Sequence, residues 1–186
     1  MKKIMILAAV VCAAVATQAA SFNWKTSATG KVYEAGTTTL LGSATAYLFN
    51  ADTLAQADLF TALVAGSDIA TLGSLDSASV SAGAIAAKTS VADYISIEAA
   101  AGTTVKTYMA IVSGDDFFIS NLATVSAKDV GVVTISFNVK TASQAASMDS
   151  SAGYAGAGWY QTVPEPTSGL LLLLGMAGLA LKRKQA

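Results

Sequence analysis

Alternation of apolar and polar positions is the main signal between residues 20 and 140. In "GVVTISFNVK", Val133, Ile135, Phe137 and Val139 alternate with Thr134, Ser136, Asn138 and Lys140. A period of two places one face in a core and the other in water, which predicts a strand. "DYISIEA" repeats the pattern, with Ile95 and Ile97 on one face and Ser96 and Glu98 on the other. "TTVKTYMAIV" predicts a more fully buried strand, and "DDFFIS" starts another after the turn-like Ser113-Gly114-Asp115-Asp116. Nearer the start, "KVYEAG" and "SATAYLFN" (Ser43 to Asn50) read as strands around a loop at Gly36 to Thr39. One stretch changes period. In "NADTLAQADLFTALVAG", Leu54, Ala57, Phe60, Leu63 and Val64 recur at helical spacing, with Asp52 as a candidate cap and Gly66 as a stop.

Strands separated by Gly, Ser, Thr and Asp turns predict an all-β body over residues 20–140. The expected fold is a mainly antiparallel β-sandwich, of plain or jelly-roll type, with one short helix packed on it. Residues 141–162, "TASQAASMDSSAGYAGAGWYQT", are rich in Ala, Ser and Gly and read as a segment that is partly linker.

Charge and residue types narrow the chemistry. Ala20 to Pro166 holds six Lys, no Arg and twelve acidic residues, a formal charge of −6 that the whole-chain value of −1 conceals. Such a body lacks the basic face that nucleic acid requires. The chain has no His, and its one Cys is Cys12. The usual zinc ligands, a Ser-His-Asp triad and a thiol nucleophile are therefore missing from the body, as is any disulfide. No metal ligand set, cofactor or catalytic residue is expected. Asp115 and Asp116, adjacent at a turn, fit ordinary turn chemistry better than a calcium loop. "GYAGAG" does not have the order of a nucleotide-binding fingerprint. Trp24, Trp159 and Tyr160 lie near the two ends of the body and are the candidate ligand-stacking residues, although Trp at strand ends more often belongs to a core.

The two ends read as addresses. Met1 to Ala19 has the form of a signal peptide: Lys2 and Lys3, an apolar stretch from Ile4 to Val15, then Thr17-Gln18-Ala19 with small residues at the −3 and −1 positions. At the other end, residues 163–186 place Val163-Pro164-Glu165-Pro166 before an apolar run from Leu170 to Leu181 and a basic tip, Lys182-Arg183-Lys184. That run would be roughly 18 Å long as a helix, short of the about 30 Å of a hydrocarbon core. A marginal span suits a segment held briefly in the membrane and then removed. The two prolines keep the chain extended around Glu165, where a protease can reach it.

This order of motif, apolar segment and basic cluster closely resembles the PEP-CTERM sorting signal of exported proteins in Gram-negative-type bacteria, which exosortases process. Thr167-Ser168 reverses the commoner Ser-Thr order, and no Trp follows. The resemblance spans Val163 to Ala186 and says nothing of the body. It implies signal peptidase and an exosortase-like enzyme as processing partners. It also implies transient anchoring in the inner membrane through the C-terminal helix, a cut near the motif, and passage to the cell surface or extracellular matrix. The function expected is a non-enzymatic surface or matrix protein. The alternative is a surface-displayed carbohydrate-binding module that holds extracellular polysaccharide. A glycosidase, third, would need two carboxylates facing each other across a cleft.

Overall fold

The computed structural model describes residues 19–162. The expected sorting segment, Val163 to Ala186, lies outside the described residues, as does the expected leader apart from Ala19. Among the described residues, no helix is long and apolar enough to cross a membrane.

The chain runs β1 (Ala19–Thr26), β2 (Ser43–Asn50), α1 (Gln56–Val64), β3 (Asp76–Ser81), β4 (Ile95–Glu98), β5 (Thr104–Ser113) and β6 (Asp116–Ile119). It continues through β7 (Ala123–Ser126), β8 (Val132–Phe137), α2 (Lys140–Ser143), β9 (Met148–Asp149) and β10 (Gly158–Gln161). One sheet has the order β4-β1-β8. The other has the order β3-β2-β5-β6-β10-β9, with β7 also paired to β5. Most ladders are antiparallel, as the short turns predict. The exceptions are β1 with β8 and β10 with β9, which are parallel.

Alternation builds three layers from these two sheets. Phe22, Trp24, Ile95, Ile97, Ile135 and Phe137 of the small sheet meet Leu48, Met109, Ile111, Phe118 and Trp159 of the large one. The opposite face of the large sheet carries Phe49, Tyr108, Ala110, Phe117, Ile119 and Tyr160, and α1 covers it with Leu59, Phe60 and Leu63. The large sheet is thus buried on both faces, which explains why β5 reads as an almost continuous apolar run.

Several local expectations shift. Asp52 does not cap α1. Asn50 closes β2 in a turn, its Oδ1 accepting the Asp52 N–H at 2.9 Å and its carbonyl the Thr53 and Leu54 N–H groups, and α1 starts after Ala55, which makes no side-chain cap. The helix does stop as Gly66 predicts: Gly66 donates to Leu63 O and Ser67 donates to Ala62 O, with Gly66 at φ +79°. "KVYEAG" forms no ladder strand and makes only a bridge between Tyr33 and Leu40. Its neighbouring backbone groups go to the loop at Gly83, with Val32 N–H donating to Gly83 O at 2.8 Å.

The expected partial linker, residues 141–162, is instead folded. It contributes α2 from its second helical residue onward, β9 and β10, and Trp159 and Tyr160 seal the two cores. Small residues there allow close packing of short elements; they do not mark a loose tether. The two sheets are also pinned by a polar knot at their edge. Asp76 Oδ2 accepts from the Trp24 indole N–H at 2.6 Å and pairs with Lys88 Nζ at 2.6 Å. Asn23 joins it, donating to Lys88 O at 2.7 Å and accepting the Lys88 N–H at 3.1 Å.

Candidate functional site: the C-terminal junction

The body hands over to its C-terminal segment at a defined place. β5 and β6 form a hairpin in which Ser113 pairs with Asp116 and Gly114 takes φ +63°, a conformation that suits a residue without Cβ. β10 lies antiparallel to β6, from Gly158 opposite Ile119 to Gln161 opposite Asp116. The next residue, Thr162, is tied down twice: its N–H donates to Asp115 O at 2.7 Å and its hydroxyl to the same oxygen at 2.8 Å. The fold therefore holds the chain up to the residue before Val163.

β10 is fixed by its side chains as well as its ladder. The Trp159 indole N–H donates to Tyr33 O and to Ser143 O, both at 3.1 Å, and its ring packs 5.4 Å from Phe118. On the other face, Tyr160 stacks on Phe117 at 5.5 Å and meets the edge of Phe60 at 4.9 Å. Its hydroxyl donates to Gly156 O at 2.6 Å and accepts from Ala155 N–H at 3.0 Å. Burial pushes the Tyr160 phenol above the usual tyrosine range, and pushes neighbouring Tyr154 up to about 12.

This placement corrects the ligand-stacking reading. Trp24 and Trp159 are each 1% exposed and Tyr160 is 0% exposed, so none offers a ring face to a sugar. Trp24 lies on the core-facing side of the small sheet, while β10 pairs with β6, which is buried on both faces, so the two aromatic residues of β10 are core on opposite sides. The sorting motif Val163, Pro164, Glu165 and Pro166 and the basic cluster Lys182, Arg183 and Lys184 lie outside the described residues.

Shallow clefts indent the described body. One of about 210 Å³ lies beside Thr162, among Leu63, Ile69, Val112 and Phe117. A second, of about 240 Å³, is lined by Glu34, Thr37, Ser113 and Asp116 over the edge of Trp159. A third, of about 230 Å³, runs between Asn121 to Ala123 and Ser136 to Val139. Asp116 already accepts the Ser147 hydroxyl at 2.9 Å, while Asp115 acts through its backbone carbonyl rather than its carboxylate. Among the described residues, no three His, Cys, Asp or Glu side chains gather where they could hold a metal.

The Thr162 tether was not legible as such, because it depends on a carbonyl 47 residues away in the chain. The signal that was available is the pair of adjacent aromatics in "GWYQT", which marks a strand buried on both faces. The family model of the PEP-CTERM protein-sorting motif matches residues 162–184. No match was found among curated proteins or solved structures. From Thr162, which Asp115 O holds, the chain carries a PEP-CTERM protein-sorting motif, the mark of an exported protein handled by an exosortase.

Proposed function

We propose that this protein is a non-enzymatic component of the cell surface or extracellular matrix, delivered by its sorting motif and trimmed of its apolar tail on the way. The observation that carries this reading is the abutment of motif and fold. Every described ladder and both described cores are built from residues 19–162, ahead of the apolar tail. The acidic body, at −6, also suits an existence outside the cell without adhesion to anionic membrane. In this reading Lys182, Arg183 and Lys184 stay on the cytoplasmic side while the body is exported. Signal peptidase removes the leader at the other end.

The test is mass spectrometry of the C-terminal peptide in the cell-associated and secreted fractions. A shortened chain outside the cell supports the reading. A chain ending only at Ala186, held in the membrane fraction, refutes it. Turnover of a polysaccharide by the purified body would remove the non-enzymatic part.

A carbohydrate-binding role is the second reading, and the polar cleft of Glu34, Thr37, Ser113 and Asp116 is the feature that favours it. Loss of glycan-array binding on Asp116→Ala, with the fold retained, would support that role. No binding to any surface polymer would eliminate it.

A further inference from the structure

β1 is the middle strand of the small sheet. It pairs antiparallel with β4, from Ala19 opposite Glu98 to Phe22 opposite Ile95, and parallel with β8, from Ser21 opposite Val132 to Thr26 opposite Phe137. Among the described residues, β4 and β8 make no ladder with each other. We infer that β1 is an exchangeable strand, which completes the small sheet of a second copy of this chain and links copies head to tail. The inference deepens the surface or matrix role proposed above and rests on it.

The slot that β1 fills is apolar and specific. Phe22 and Trp24 enter a core with Ile95 and Ile97 from β4 and Ile135 and Phe137 from β8. The Trp24 indole N–H ends on Asp76, and Asn23 brackets the Lys88 backbone. Without β1, those isoleucines and Phe137 border a groove open to water. A β1 from another copy offers the same residues in the same register, so every ladder bond and core contact is kept. Only the connection differs.

That connection is short. β1 ends at Thr26, and Val32 is already back in the core. Between them, Ser27 to Lys31 fold into a tight turn: Ser27 N–H donates to Phe137 O, Gly30 N–H to Ser27 O and Lys31 N–H to Thr29 O. Ser27 Oγ is buried in this turn without a hydrogen-bond partner among the described residues. An unmet buried hydroxyl penalises the closed turn, and opening the turn returns it to water. Extended, Ser27 to Lys31 span roughly 17 Å, more than the roughly 10 Å between packed sheets. Short hinges under such a penalty favour exchange.

Order of synthesis acts in the same direction. β1 precedes all its partners, and its ladder with β8 must wait until the β5–β6 hairpin is complete. Within one chain, the tether gives β1 an effective concentration of about millimolar order. A dense surface layer or matrix reaches that range, which lets a neighbour's groove compete. Exchange from copy to copy is heterologous, and it runs on as an open fibre or closes as a ring.

The test pairs two tagged single variants of the full chain, Ser21→Cys and Ser96→Cys, in cells that produce and export it. Ser21 and Ser96 stand opposite each other in the β1–β4 ladder, where Cα atoms are about 4.5–5.5 Å apart, within disulfide reach. Mass spectrometry of linked peptides from protein outside the cell separates this bond from any made through Cys12. The expected result is a disulfide between positions 21 and 96 of different chains, with doubled mass on a non-reducing gel. Ser21→Cys paired with Ser79→Cys, exposed on β3, gives the level of chance collision. The double variant Ser21→Cys, Ser96→Cys in one chain shows whether the register forms. A link in the double variant, with the mixed pair no higher than chance collision, means a closed monomer; it overturns the inference and leaves the surface role standing. Absence of the link in both arrangements also overturns it. Protein found only inside the cell overturns the surface role and this inference together.

Discussion

Replacing Trp159 separates a structural role for the C-terminal aromatics from a ligand-binding one. Trp159 is 1% exposed, packs on Phe118, and its indole N–H is shared between Tyr33 O and Ser143 O. Trp159→Ala removes a large ring from a closed core, which typically costs about 3–5 kcal/mol. It also takes the indole donor from two carbonyls. Trp159→Phe keeps most of the packing and loses only the donor, at about 1–3 kcal/mol. Against a total stability of about 5–15 kcal/mol, the alanine variant is severely weakened and the phenylalanine variant survives. Urea unfolding of residues 20–162, followed by circular dichroism, reads the difference. With a slope of about 1–3 kcal/mol per molar urea, a 4 kcal/mol loss moves the midpoint by more than about 1 M. A Trp159→Ala protein that unfolds within about 0.5 M of the parent would refute the packing argument, because a ring sealed into the core cannot be deleted so cheaply.

Other outcomes follow from the same contacts. Asp76→Ala leaves the Trp24 indole N–H without its acceptor and is expected to cost about 1–3 kcal/mol. Lys88→Met removes only a partly exposed ion pair and should cost less than about 1 kcal/mol; equal losses in urea unfolding would contradict this ranking. Gly83→Ala should be destabilising by at least about 2 kcal/mol, because φ is +67° and a Cβ would run into the Val32 carbonyl oxygen. The readout is a melting temperature roughly 5–10 °C lower, and an unchanged value would contradict the reasoning.

Alkaline pH is the remaining test. Burial holds Tyr108, Tyr154 and Tyr160 protonated beyond the ordinary range, Tyr154 up to about 12. Between about pH 10 and 12 the unfolded chain binds fewer protons than the folded one, so this stability is fully present below pH 10 and is lost as the pH climbs. Tyrosinate absorbance of these three should rise late and together with unfolding. Ordinary early titration of all six tyrosines in a still-folded protein would refute it.

The elements that sequence reading located well are those whose partner is implied by their own pattern. β4 and β8 show alternation because one face is buried and the other wet, and their cores sit where the alternation places them. Gly66 stops α1 because the requirement for positive φ is local. Asp52 failed as a cap because a turn at Asn50 O takes the Thr53 and Leu54 N–H groups, and the helix starts only after Ala55, three residues on. "KVYEAG" has strand-like composition, yet beyond its local bonds to residues 37–41 it goes to Gly83 and Ala145, which only folding brings near.

By itself the sequence determined the address and the class. The PEP-CTERM motif is a contiguous chemical signal, read in order by a processing enzyme, and the period-two stripes fix an all-β body because each strand carries its own inside and outside. Tertiary structure alone decided that β1 and β8 lie parallel, that the large sheet is covered on both sides, and that residues 158–162 are core and tether instead of linker. Those outcomes depend on contacts between residues far apart in the chain. Trp159 reaches Tyr33 across 126 residues, and no local pattern encodes which distant carbonyl an indole N–H will find.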